Sequence, residues 1–448
     1  MLSVSEAESR VSDLIAAARK AGADAADAIY VGDGSTQVQV RLGALEDVER
    51  SEGEEIGLRL FVGRRSASVS SSDLSADALA ALVERAVAMA REAPEDPWAG
   101  LAPEDRLLRG PSPDIDSDDG ANPSPADLRA RAEQAEEAAR AVPGITNSEG
   151  ASASAVRTVV AIATSHGFAR GYSTSGYGCS ASVIGGEGGG MQRDYAYHSA
   201  RHLGDLEAAA TIGRRAGERT VARLNPGRLS SGAMPILFDP RVSSSMLGHL
   251  AGAITGAAVA RRTSFLLGSL GQPVFGKGIT IRDDPHRHRG LRSKPFDGEG
   301  LPTAPLDLIA DGVLTSWLLD SASARQLGAA PTGHATRGVG GPPGAGTTNL
   351  YMEAGNLSPE ALMADVTLGL FVTELIGHGV NPVTGDYSRG ASGFVVRNGA
   401  IAEPVAEITI AGNLKDMFLH LTPANDLEFR RAVDAPTIRI EGMTVAGA

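Results

Sequence analysis

His198 and His202 stand four residues apart, the spacing at which two imidazoles on a helix share a metal ion. A hydrolytic zinc site needs three protein ligands and an open position for the attacking water. Its usual mark is a His pair one helical turn apart with an adjoining Glu as base. None of the nine histidines has a neighbouring Glu. The run Asp194-Tyr195-Ala196-Tyr197-His198 alternates as a strand does, and residues four apart in a strand lie about 13 Å from one another, too far to share an ion. Only an early start to the following helix would bring His198 and His202 together. His286-Arg287-His288 follows Asp283-Asp284-Pro285 and reads as a solvated, charged turn.

Other chemistries are weaker still. Gly271-Gln272-Pro273-Val274-Phe275-Gly276-Lys277 approaches a phosphate-binding loop, but Gly278 follows where a magnesium-holding Ser or Thr belongs. Cys179 lies in Tyr177-Gly178-Cys179-Ser180 with no basic neighbour to lower its pKa, so it reads as a small packed residue. Ser392 in Gly390-Ala391-Ser392-Gly393 misses the spacing of a nucleophile elbow.

Composition narrows the classes further. A net charge of −13 over 448 residues argues against a general nucleic-acid surface, which requires a basic stripe. One cysteine excludes internal disulfides and a four-thiolate zinc site. Nothing reaches the roughly 18 unbroken apolar residues of a membrane helix, and Met1-Leu2-Ser3-Val4-Ser5-Glu6 lacks the basic and apolar regions of a signal peptide, so a cytoplasmic location is expected. Glycine is abundant, with 55 residues, and follows no repeat period.

The elements that would position any site read as an α+β fold: an N-terminal helix-and-antiparallel-sheet domain over residues 1–225, then a largely β C-terminal domain with a few helices over 226–448. Helical spacing of apolar residues predicts helices over Ser5–Ala21, Ser75–Glu92, Ser124–Val142 and about Asp205–Leu224. Strands are predicted over Ala28–Val31 and Gln37–Leu42, with a hairpin from Ile56–Val62 to Ser66–Ser70 and several short strands between Gly150 and His198. Residues 93–123, rich in Pro, Asp, Gly and Ser, read as an exposed connection, and Asn225-Pro226-Gly227 as the domain boundary. In the second half a strand at Pro235–Asp239 precedes a small-residue helix, Ser243–Val259, on which Gly248, Gly252 and Gly256 share a face. Asp311-Gly312 and Asn398-Gly399 predict tight hairpin turns.

Two long stretches are specific. Val372-Thr373-Glu374-Leu375-Ile376-Gly377-His378-Gly379-Val380-Asn381-Pro382-Val383-Thr384-Gly385-Asp386-Tyr387-Ser388-Arg389-Gly390-Ala391-Ser392-Gly393-Phe394 and Pro404-Val405-Ala406-Glu407-Ile408-Thr409-Ile410-Ala411-Gly412-Asn413-Leu414-Lys415-Asp416-Met417-Phe418 closely resemble the TldD/PmbA family, in its PmbA (TldE) branch. Asn147-Ser148-Glu149-Gly150, Lys294-Pro295-Phe296-Asp297-Gly298-Glu299-Gly300 and Thr332-Gly333-His334-Ala335 fit the same pattern in order.

The resemblance implies a relation to a zinc peptidase. In the TldD branch a helix bears His-Glu-x-x-x-His and a Cys near the C-terminus completes the site. Here the corresponding positions hold Gly248, His249 and Ala253, and no Cys follows Asn425-Asp426. The resemblance therefore implies no catalytic residues and no metal or other cofactor in this chain, with zinc expected in a TldD-like partner subunit and unfolded peptide as the substrate of the pair. His249 reads as a packed or interface residue. Asp386, Tyr387, Ser388, Arg389, Asn413, Lys415 and Asp416 are candidates for peptide or subunit contact, with Arg389 free to pair with Asp386, and the Gly- and Ser-rich edge strands could accept an extended peptide. The alternative is a peptide-binding or modulator protein that works without a peptidase partner, in line with the family's older description as a modulator of DNA gyrase. A third reading is a hydrolase using His249, His334 or His378. The sequence leaves open whether the isolated chain forms a homodimer, and no nucleic-acid or membrane partner is expected.

Overall fold

Ser3 opens the first helix, α1 (Val4–Lys20): its hydroxyl accepts the Glu6 amide while the Glu6 carboxylate accepts the Ser3 amide. Such a reciprocal cap contributes about 1 kcal/mol. Ala7, Val11, Leu14, Ile15 and Ala18, at three- and four-residue spacing, are the buried residues of the helix, so one stripe lies on a sheet. The structure is a computed structural model and describes residues 1–447.

The sheet beneath α1 is antiparallel and built from β1 (Ala25–Arg41), β2 (Ala44–Val62), β3 (Arg65–Ser71), β4 (Ile145–Thr164), β5 (Ala169–Gly185) and β6 (Gln192–Ala200), in the order β3-β2-β1-β4-β5-β6. Because side chains alternate along a strand, the even-numbered residues of β1 point to one face. There Ala26, Ala28 and Tyr30 pack with α1 and α2 (Ala76–Glu92), and Val38 and Val40 pack with α3 (Pro125–Arg140) and α4 (Ala209–Ala222). Ile29 points the other way and joins Ile162, Phe168 and Phe296 in a core shared with the second half of the chain. All four helices thus cover one face, and the second half covers part of the other.

That second half contains β7 (Gly232–Phe238), α5 (Pro240–Ala253), α6 (Gly256–Ala260), β8 (Ile281–Asp283), β9 (Leu306–Ala310), β10 (Val313–Leu314), α7 (Ser321–Leu327), β11 (Ala335–Thr336), β12 (Gly344–Ala345), β13 (Leu350–Met352), α8 (Pro359–Met363), β14 (Leu368–Ile376), β15 (Asp386–Arg397), β16 (Ala400–Asn413), α9 (Leu414–Leu419), β17 (Leu421–Pro423), β18 (Val433–Asp434) and β19 (Ile438–Ala446). Strands β16-β15-β14-β7-β19 follow one another, and β16 pairs back onto β19 between Thr409–Ala411 and Thr444–Ala446, which closes them into a ring. Its interior, with Phe238, Val372, Tyr387 and Ile410, merges with the apolar side of α5, Met246, Leu247 and Leu250.

A buried ion cluster locks the halves together. Asp27 on β1 takes a bond from Arg59 Nε at 3.0 Å and a second from Arg337, and all three side chains are almost wholly buried. Burial pushes the Asp27 carboxyl up, but Arg337 and Arg59 outweigh it and hold it below the usual carboxylate range. Close backbone approach supports the same contact: a Cβ at Gly57 would sit 2.1 Å from the Val339 carbonyl oxygen, so only glycine fits.

The α+β reading holds, and so do the two turns. Asp311 and Gly312, and again Asn398 and Gly399, have φ between 47° and 81°, the mirror-image turn that favours Asn-Gly and Asp-Gly. Other expectations are corrected. Ala28–Val31 and Gln37–Arg41 belong to one strand, with Leu42 in the turn after it, because β1 runs through Gly32-Asp33-Gly34-Ser35 with partners on both sides. The short strands expected between Gly150 and His198 are two long ones and β6. Residues 93–123 are irregular, with a single 3-10 turn at Glu104–Arg106, but they are not simply exposed. Leu101, Ala102, Leu107 and Ile115 are buried, and the backbone oxygens of Trp98, Gly100 and Leu101 hold the Arg325 guanidinium. The helix expected over Ser243–Val259 starts earlier and breaks at Ile254-Thr255, where Thr255 caps α6. Gly248, Gly252 and Gly256 therefore do not form one continuous face. The first two are open, whereas a Cβ at Gly256 would strike Ser323.

Candidate functional site

Helix α5 begins where Asp239 accepts the Arg241 amide at 2.8 Å and Pro240 occupies the first turn. It carries Gly248, His249 and Ala253, the three positions that the family resemblance sets against a metal-binding helix. Gly248 is exposed with open space above it, His249 is half-buried, and Ala253 is buried. The His249 ring meets Tyr387 of β15 edge-on, centroids 5.9 Å apart and planes at 82°. Its Nε2 is buried without a hydrogen-bond partner among the described residues. Burial, and then the positive charge of Arg389, lower its pKa, which favours the neutral ring.

These residues do not fit a zinc ion. Glycine and alanine supply no donor, and one imidazole falls short of the three ligands a catalytic site requires. The charged group beside His249 is a guanidinium, which would repel the metal. Among the described residues no three His, Cys, Asp or Glu side chains are gathered as a metal site.

The seven contact candidates fall into two groups. Alternation along β15 sends Asp386 and Ser388 outward and Tyr387 into the core, with Arg389 half-buried on the Tyr387 side. Asp386 accepts Thr384 Oγ1 at 2.6 Å and Asn413 Nδ2 at 3.1 Å, while Asn413 Oδ1 accepts the Lys415 amide at 3.1 Å to cap α9. Lys415 and Asp416 are exposed on that helix. Arg389 does not pair with Asp386, contrary to expectation, because adjacent odd and even positions face opposite ways. Among the described residues its Nε has no hydrogen-bond partner, and neither does the buried Tyr387 hydroxyl, whose pKa burial pushes well above the usual phenol range.

The remaining histidines are dispersed. His198 sits on β6, where Nδ1 accepts the Glu207 amide at 3.1 Å, while His202 Nε2 lies 3.0 Å from the Asp116 carbonyl oxygen, so they share no ion. His334 is buried against Asp283, Nε2 to Oδ2 3.4 Å, and Nδ1 lies 2.9 Å from the Thr332 carbonyl oxygen. His378 is exposed on the loop after β14. Cys179 is buried, and burial pushes its thiol up to about 11, which makes it inert.

Two features were not singled out as sites from the sequence. The stretch from Lys294 to Gly300 forms a buried acidic turn: Asp297 accepts the amides of Glu299 and Leu301 at 2.9 Å and Ala335 at 3.2 Å. Burial, with the Glu299 charge, pushes its carboxyl up to about 7. The other is a cleft of about 390 Å3 between the two halves of the chain, lined by Tyr197, Arg215 and Arg219 from one side and by the start of α5 and Arg430-Arg431 from the other. Glu207 joins two of these lining arginines, Arg215 at 2.9 Å and Arg430 at 3.0 Å. Against the cost of burial these two guanidiniums hold the Glu207 carboxyl down to about 2. Buried Asp194 ties Arg241, at 2.8 Å, to Arg223, at 3.3 Å. No local motif marks these residues: Arg430 reaches Glu207, and Arg223 and Arg241 reach Asp194, from distant parts of the chain, while Arg215 lies eight residues from Glu207.

Comparison with known proteins places this geometry. Family models for PmbA/TldA metallopeptidase domain 1, the central domain and the C-terminal domain match residues 26–90, 118–224 and 231–447. The chain is 42% identical to Metalloprotease PmbA of Escherichia coli O157:H7, over 92% of this chain and 89% of that one. It is 37% identical to a PmbA homologue of Haemophilus influenzae, over 100% and 98%. A solved Bacteroides thetaiotaomicron protein, described as a candidate modulator of DNA gyrase, superposes with a TM-score of 0.91 at 27% identity, covering 99% of both chains. TldE of Thermococcus kodakarensis superposes at 0.87 with 21% identity, covering 98% of this chain and 100% of that one, a likeness of fold.

Proposed function

The chain belongs to the PmbA/TldD metallopeptidase family, and from that premise we propose that it is a non-catalytic subunit, TldE-like, of a metallopeptidase that processes or degrades unfolded peptides. The observation that carries the proposal is the triplet Gly248, His249 and Ala253 on α5, with Arg389 beside the one imidazole. A position that evolved to hold a cation would place carboxylate or thiolate there, not a guanidinium. In this reading zinc and the general base reside in a TldD-like partner, and this chain completes the chamber that admits peptide. No chemical step falls to its own residues. Their work is to hold the scaffold rigid through Asp27, Arg59 and Arg337 and to present α5, β15 and α9 to the partner and to peptide. The open helix face at Gly248 and Gly252 supports this, since small exposed residues allow a second backbone to approach closely.

The test is reconstitution. Mixed with the TldD-like chain from the same source, this protein is expected to co-elute with it on size exclusion and to raise cleavage of casein above that of the partner alone. Absence of a complex, with activity of the partner unchanged, would leave a modulator that acts by itself and overturn the subunit reading.

A further inference from the structure

We propose that the cleft between α4 and the start of α5 is a carboxylate-binding site that takes the C-terminal carboxylate of a peptide. Two guanidiniums there have no carboxylate partner among the described residues. Arg219 has one weak bond, from Nη1 to the Tyr195 carbonyl oxygen at 3.4 Å. Arg431 donates to the Tyr197 hydroxyl at 2.7 Å and to the Pro240 carbonyl oxygen at 3.1 Å, and its guanidinium lies 5.7 Å from the Tyr197 ring centre. Every other arginine lining the cleft is held by at least one carboxylate. Leaving a half-buried guanidinium without an anion is costly, and burial, with the nearby charge of Arg241, lowers the pKa of Arg219 to about 10. A bound anion removes that cost.

The lining limits the class of anion. Asp239, Asp426, Glu428 and Asp434 also line the cleft, and so many carboxylates around Arg219 and Arg431 disfavour a polyanion such as nucleic acid. A planar carboxylate matches the fork of a guanidinium. Stacked on Tyr195 with centroids 6.2 Å apart, Tyr197 supplies an apolar wall for the last side chain of the peptide. The site lies between two halves of the molecule, where ligand clefts are commonly found. The peptide assignment rests on the peptide-handling reading above. Its test, however, uses this chain without a partner, so failure of the subunit reading and failure of this one are distinguishable.

Isothermal titration of the full chain with N-acetylated oligoalanine bearing a free C-terminal carboxylate is expected to show binding. The C-terminal amide of the same peptide should bind about tenfold more weakly or worse, the loss of a charge-assisted pair. Arg219→Gln should bring the free acid down to the amide, and Arg219→Lys should restore part of the difference, which separates a lost charge from a disturbed fold. Equal binding of acid and amide, binding of neither, or an unchanged affinity in Arg219→Gln would overturn the proposal. Competition by inorganic phosphate as strong as by the peptide would also overturn the peptide assignment, in favour of a general anion site.

Discussion

The ring of His249 stands edge-on to Tyr387 at 5.9 Å, and this contact accounts for an imidazole that remains on a helix otherwise without metal donors. The electropositive edge of one ring against the electronegative face of another stabilises such pairs by about 0.5–1.5 kcal/mol. His249 is therefore packing, and Tyr387, nearly inaccessible at 1% exposure, is the wall it packs on. His249→Ala should lower the melting temperature by a few degrees yet leave cleavage by the reconstituted pair within about twofold. Thermal denaturation and casein assays on one preparation check both, and a folded variant with activity reduced tenfold or more would contradict the packing role.

Gly248 offers a sharper contrast. It is exposed on α5, and no neighbouring heavy atom stands near the place a methyl group would take, so Gly248→Ala should stabilise the isolated chain by up to about 1 kcal/mol through helix propensity. If the partner's backbone approaches this face, the same methyl group should weaken the complex. Denaturant unfolding and a binding titration should thus move in opposite directions, and a variant that stabilises the chain and binds the partner as before would place the interface elsewhere.

Asp27 carries the attachment of the two halves. Asp27→Ala leaves Arg59 and Arg337 buried without their anion, a loss of about 3–5 kcal/mol. Urea unfolding should show a large fall in midpoint, with a second transition if the halves separate. A change under about 1 kcal/mol would mean that the cluster is idle.

Asp297 makes stability depend on pH. Its carboxyl titrates near 7 in the fold and near 4 in an unfolded chain, so between those values the folded state holds the additional proton. The stabilising contribution is complete below about pH 4 and falls as pH rises through about 7. Asp297→Asn cannot lose a proton and should flatten that slope. Unfolding midpoints at about pH 5 and about pH 8 measure it, and parallel pH dependence in the two proteins would contradict the assignment.

How much of this was legible depends on the range of the cause. Caps and turns are local, so Ser124 with Asp127, Asp311-Gly312 and Asn398-Gly399 could be read directly, although the reading of the first helix from Ser5 passes over its Ser3 cap. Gly32-Asp33-Gly34 misled because its composition matches a turn. The strand continues there because β2 and β4 satisfy its backbone on both sides, a tertiary effect. The break at Thr255 was hidden because Ala and Gly continue the helical pattern across it, and only the hydroxyl cap and the approach of Ser323 show why the axis changes. The cleft was invisible for the same reason as the Asp27 cluster. Arg219 and Arg431 belong to opposite halves of the chain, and neither residue alone suggests the other.

The central claim is that zinc chemistry belongs to a partner, and the most direct measurement is the metal content of this chain purified alone, with peptidase activity assayed on the same sample. The account predicts substoichiometric zinc and no cleavage until a TldD-like chain is added. Stoichiometric zinc with cleavage by the chain alone would contradict it, and would require ligands among histidines that here are packed, capped or exposed.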